Sequence, residues 1–156
     1  MAGTAIAYYE MLDTMKETLE ANPLINTVSY GNIYDAANDK TTSFPLAHFK
    51  VNDAELTDNT FIFDMTLFIC DLIDVSKEDA TDKFRGNKNT MDVHNSTLAS
   101  LSDAMLMFRR KGAMESGYAL VGNPVMETFT HRFNADTAGW YADFRVEVTQ
   151  RMNVGC

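Results

Sequence analysis

Cysteine is scarce in this 156-residue chain: only Cys70, inside an apolar run, and Cys156, at the last position, are present. That number and placement exclude a disulfide framework, and a thiol within an apolar run reads as a small hydrophobe. Long uninterrupted apolar segments are missing too. The longest, residues 61–73, is broken by Asp64 and Asp71 and falls short of the about 20 residues that a membrane-spanning helix needs. The first ten residues lack the basic start and continuous apolar block of a secretion signal, so the chain is expected to stay in the cytoplasm where it is made.

Positive charge is the next shortage. Thirteen lysines and arginines face 22 aspartates and glutamates, a formal net charge of -9. Such a balance repels a phosphate backbone, which makes nucleic acid a poor candidate for the main ligand. The excess is concentrated between residues 53 and 92, where ten acids stand against four bases. A field of that kind suits solubility, or contact with a basic partner surface.

Catalytic spacings are absent as well. His48, His94 and His131 are far apart, none stands in a His-Glu-x-x-His arrangement, and the cysteines are not paired for zinc. Each histidine reads first as a structural one. A phosphate loop, a nucleophile elbow and a dinucleotide fingerprint are all lacking. Asp64 and Asp71 could in principle form an acid and base pair. Their separation of seven puts them on opposite faces of a straight strand, so they read as solvent-facing or interface-facing acids. No enzyme, metal or cofactor site is therefore expected; a small-ligand or hydrolytic pocket holding Asp64, His48 or His131 is the minority alternative.

What the chain does have is a clear order of patterns. Hydrophobic residues make up 46% and aromatics 11%, with a mean hydropathy of -0.21, which fits one domain with a core that stands unaided. Tyr8, Leu12, Met15 and Leu19 recur at helical spacing within residues 4–22, Thr4 can cap the start, and Asn22-Pro23 stops the helix. A short strand is expected at 27–34, then a polar loop. Residues 44–51 alternate, and Pro45 places that strand at an edge or near its own start. After a turn at 52–59 comes the strongest strand, 60–73, apolar on both faces: Phe61, Phe63, Met65, Leu67 and Ile69 on one, Ile62, Phe68, Cys70 and Leu72 on the other. Such a strand is either central and covered twice, or turns one face to another subunit.

Residues 74–93 form a long polar loop that includes Lys77, Asp79, Lys83, Arg85 and Lys88, the kind of connection that often binds partners. Leu98, Leu101, Met105 and Phe108 mark a second helix capped by Asn95 or Ser96, with Arg109, Arg110 and Lys111 suiting its negative end and Gly112 ending it. A hairpin closes the chain, with arms at 125–133 and 140–151. Its second arm sends Trp140, Ala142, Phe144, Val146 and Val148 to the core and Tyr141, Asp143, Arg145 and Glu147 outward. The outward row suits a solvated face and subunit pairing equally. The methionines, ten in all, read first as core filler and second as an adaptable contact surface. The expected class is thus α+β: a mostly antiparallel sheet of about five strands with two helices on one face, in the order α-β-β-β-α-β-β.

Over residues 4–151 this arrangement resembles the tail terminator and related neck, or head–tail joining, proteins of tailed bacteriophages. The likeness is one of pattern, carried by the first helix at 4–22, the long strand at 60–73, the second helix at 96–111 and the hairpin at 125–151. It implies a structural virion protein that forms a ring of its own copies, commonly sixfold and sometimes twelvefold, and makes no bond chemically. Its partners would be the tail tube protein and the head-proximal neck or adaptor proteins, with DNA passing through unbound. A head–tail adaptor or capsid accessory role is the alternative within the same class. The resemblance also implies that the loop at 74–93 projects toward neighbours. On these grounds the candidate interface residues are Asp64, Asp71, Lys77, Asp79, Lys83, Arg85, Lys88, Tyr141, Asp143, Arg145 and Glu147.

Overall fold

A computed structural model of the chain describes residues 3–32, 42–74, 81–86, 89–112, 118–130 and 136–149. In chain order they form α1 (Gly3–Glu20), β1 (Thr27–Tyr30), β2 (Leu46–Leu56), β3 (Thr60–Leu72), α2 (Thr90–Lys111), β4 (Tyr118–Thr130) and β5 (Thr137–Thr149). The expected α+β order α-β-β-β-α-β-β is the one found. The five strands make one sheet in the order β1-β2-β3-β5-β4, parallel between β1 and β2 and antiparallel elsewhere. β3 lies at the centre of it. Among the described residues no helix is long and apolar enough to cross a membrane.

Alternation divides the sheet into two faces. Ala47 and Phe49 of β2, Phe63, Met65, Leu67 and Ile69 of β3, and Ala142, Phe144, Val146 and Val148 of β5 are all buried, and they share one cluster with Met11, Met15 and Leu19 of α1 and Leu101, Ala104, Met105 and Phe108 of α2. Both helices therefore cover the same face. Phe108 is an anchor of this core: its ring stacks on Tyr118 at 4.5 Å, meets Phe144 edge-on at 6.2 Å, and its carbonyl accepts a hydrogen bond from the Tyr118 hydroxyl at 2.8 Å. Gly112 ends α2 in a right-handed conformation, where a Cβ would lie 2.3 Å from the Tyr118 ring. Glycine is needed there for close approach, not for a left-handed turn.

Several boundaries differ from the expectation; β5, for one, begins at Thr137 and not at Trp140. The second helix begins at Thr90, so Asn95 and Ser96 lie inside it. Its buried stripe opens with Val93 and continues through Thr97 and Ser100, polar residues that broke the apolar periodicity. Thr97 is satisfied within the helix by donating to the Val93 carbonyl at 2.6 Å. The loop is correspondingly shorter, and Asn89 closes its base by accepting a hydrogen bond from the Asp74 amide at 2.7 Å.

β2 runs on to Leu56, through residues read as turn; a bulge between Val51 and Asp53 hides the alternation by reversing its phase. Pro45 sits just before β2, near its start and not at an edge, because β1 flanks that strand. β4 likewise begins at Tyr118, seven residues before the expected start. Gly122 and Pro124 lie at a second bulge, where the register shifts between Val121 and Val125. β1 ends at Tyr30, and residues 33–34 of the expected strand lie outside the described ones. The end of α1 follows expectation: the Asn22 side chain accepts the Leu24 amide at 3.0 Å, turning the chain at Pro23.

Candidate functional site

The other face of the sheet has no helix over it among the described residues, and its surface is built from alternate positions of four strands. Register places Lys50 opposite Thr66 and Asp53 opposite Asp64; it then places Asp64 opposite Arg145, Thr66 opposite Asp143, Phe68 opposite Tyr141, and Tyr141 opposite Glu127. The bulge in β2 matters here. By reversing the phase it brings Asp53 and Glu55, rather than Asn52 alone, onto this face.

One end of the face is apolar. Leu46, Phe68, Cys70 and Phe129 are buried together, and Tyr141 packs on them with its ring 5.4 Å from that of Phe68 and 6.3 Å from that of Phe129. Burial pushes the Cys70 thiol up to about 12, with the nearby Asp71 carboxylate adding to it, so at neutral pH it is an unreactive thiol. Gly139, register partner of Cys70, permits the close approach of β3 and β5 at this end: a Cβ on it would fall 2.0 Å from the Ile69 carbonyl oxygen.

The middle of the face is polar and joined by hydrogen bonds. Asn52 donates to the Thr66 hydroxyl at 2.8 Å, and Thr66 donates to Asp143 Oδ1 at 2.6 Å. The Tyr141 hydroxyl donates to Glu127 Oε2. Arg145 reaches over β3 to donate to Glu55 Oε2 at 2.8 Å. A concavity of about 780 Å³ opens beside this network, and Lys50, Asn52, Thr66, Phe68, Tyr141 and Asp143 contribute to its lining.

Charge on the face follows the chain as a whole. Its described carboxylates are Asp53, Glu55, Asp64, Glu127, Asp143 and Glu147, and its described cations are Lys50 and Arg145. Six against two leaves an anionic surface that favours a cationic visitor.

His48 stands at the border between β2 and β1, fully buried. Its Nε2 lies 2.6 Å from the Gly31 carbonyl oxygen, which can only accept, so Nε2 carries the proton; Nδ1, 2.6 Å from Ser29 Oγ, then accepts from that hydroxyl. Burial lowers its pKa, the Lys50 charge lowers it further, and the bond to Gly31 opposes both. The side chain is a neutral rivet between strands. His94 has a similar duty, with Nε2 donating to the Phe129 carbonyl at 3.3 Å while its own carbonyl accepts from the Trp140 indole at 2.9 Å.

The structure gathers Asp64, Tyr141, Asp143, Arg145 and Glu147 on this one face. It sets Asp71 apart, on the helix side of the far end of β3, where Asp71 Oδ1 accepts the Leu72 amide at 2.8 Å. Lys83 and Arg85 are exposed on a tight turn at 81–86. Lys77, Asp79, Lys88 and His131 lie outside the described residues. Sequence reasoning missed Glu55, Asn52, Thr66 and Glu127. Asn52 is the inserted residue of the unforeseen bulge and Glu55 stands after it, whereas Thr66 and Glu127 lie in strands that were expected, with only their cross-strand partners unread.

Among the described residues no three of histidine, cysteine, aspartate or glutamate gather as a metal-binding group. No model of a known protein family matches the chain, and no curated protein is similar to it in sequence.

Proposed function

We propose that this protein is a structural component of a tailed-bacteriophage virion, a ring of identical subunits at the neck that terminates the tail tube and joins it to the head. The observation that carries the reading is the helix-free sheet face, which keeps an apolar end and an ordered polar row although none of the described helices covers it. A sheet face with no described helix over it, with mixed-sign charge and an aromatic end, suits subunit association. Rings are closed by heterologous contacts, so each copy needs two different complementary surfaces, and the bare face supplies one of them. Its work is contact, with no reaction catalysed. The negative charge would also let DNA traverse the lumen without adhering, since like charges repel.

The test is the mass of the purified chain by light scattering and native mass spectrometry, alone and mixed with tail tube protein and the head-proximal adaptor. A discrete closed multimer is the expected result. A monodisperse monomer at high concentration, unchanged by either partner, would defeat the reading.

A further inference from the structure

Resting on that reading, we infer that the second surface of the subunit contact is the turn at residues 82–86, whose Phe84 enters the concavity on the helix-free face of the adjacent copy. Phe84 is the most exposed large apolar side chain among the described residues, at 77%. An isolated exposed apolar residue is ordinary; this one is held outward by a built turn. Asp82 Oδ1 accepts the Phe84 amide at 2.9 Å, the Asp82 carbonyl accepts the Gly86 amide at 2.7 Å, and Gly86 closes the turn at a φ of +68°, which a side chain would resist. A preformed turn loses little freedom on docking, so its aromatic ring is a low-cost anchor.

The residues around the ring choose the receptor. Lys83 and Arg85 flank Phe84, making an apolar tip between two cations. The helix-free face as a whole offers the reverse, six carboxylates to two cations: Lys50 and Asp143 line the concavity with an aromatic wall of Phe68 and Tyr141, and Asp53 and Asp64 are the next carboxylates along the sheet. A ring against the wall puts the flanking cations near those acids, and an Arg side chain can also lie on the Tyr141 face. The alternative receptor, the groove between α1 and α2, is lined by Arg110 and Lys111 against one acid, Asp103, and would repel the same turn. The occupant is therefore a second copy of this chain. Turn and face are different surfaces, so the contact is heterologous and repeats by rotation.

Mass photometry across a concentration series, on the intact chain, tests this. Phe84→Ala should weaken association by at least about tenfold, as loss of an aromatic anchor does. Arg85→Glu should weaken it as well, and combining it with Asp143→Lys should restore assembly by exchanging the charges. Thermal melting of the single Phe84 and Arg85 variants should match the parent, since both side chains are exposed. Undiminished assembly of Phe84→Ala overturns the contact and leaves the ring standing. A parent chain that stays monomeric at every concentration and with both virion partners overturns the ring, and this contact with it.

Discussion

The two faces of the sheet are made by the same strands yet differ in what their side chains are for. On the covered face, consecutive inward positions of β3 and β5 are apolar without exception from Phe63 to Ile69 and from Ala142 to Val148, and two helices seal them. On the helix-free face the same strands carry Asp64, Thr66, Asp143 and Arg145 beyond one apolar end. Burial of apolar area stabilises the fold at about 25 cal/mol per Å², so the first face holds most of the folding free energy. The second adds a smaller buried cluster at one end, part-buried hydrogen bonds through Thr66, and an exposed Arg145–Glu55 pair that contributes little. The lesson is a division of labour: substitutions on the covered face should unfold the chain, and substitutions in the exposed polar row of the other should leave it folded and change what it touches.

The largest effect should come from Phe108→Ala. Phe108 is completely buried and contacts the Tyr118 and Phe144 rings, so truncation leaves a cavity that the helix and sheet cannot both close. A loss of about 3–5 kcal/mol is expected in urea unfolding. A loss below about 1 kcal/mol would mean that the covered face is not the main source of stability.

The next effect sits on the helix-free face, at the border between β2 and β1. His48→Leu removes the ring that satisfies both the Ser29 hydroxyl and the Gly31 carbonyl, at an expected cost of about 1–3 kcal/mol at neutral pH. Its pH dependence gives a sharper test. With a folded pKa below the ordinary 6.5, the unfolded chain binds more protons in the interval between the two values, so stability is complete above about pH 6.5 and falls as the pH drops through that interval. His48→Leu should lack this part of the acid slope. Equal slopes in both proteins, from urea titrations between pH 7 and pH 5, would show that His48 is not held neutral.

How far this division could be read from the chain depends on which residues carried it. The strand at β5 was legible because Trp140 to Val148 alternate without a break, and the covered half of β3 was legible for the same reason. α1 was legible through its stripe and its Asn22-Pro23 stop. The bulges were not, since a one-residue insertion has no composition of its own; the phase reversal after Val51 disguised half of β2 as turn. Nor was the start of α2, whose buried stripe runs through Thr97 and Ser100; Thr97 looks polar until its hydroxyl donates to the Val93 carbonyl inside the helix. The outward row of β5 was visible as a row. What it opposes across β3, Glu55 above all, depended on the missed bulge, and so the pairing that gives the row its shape had no sequence signature.

The smallest expected change in stability is also the one that separates the two readings of that row. Arg145 and Glu55 are bonded at 2.8 Å, but their side chains are 46% and 61% exposed, so solvent screening leaves the pair less than about 1 kcal/mol of the folding free energy. Arg145→Ala should accordingly shift the urea midpoint hardly at all. If the face is merely solvated, the same variant also assembles as the parent does. If it is buried between subunits, removing one partner strands the Glu55 carboxylate in a desolvated site, and association should weaken by about tenfold or more. Truncating both members together should then recover part of that loss, because no charge is left uncompensated, and a mass measurement of the three variants side by side reads the coupling directly. Identical assembly of the parent and Arg145→Ala would place the row in water and shift the weight of the contact to the aromatic end, around Phe68 and Tyr141.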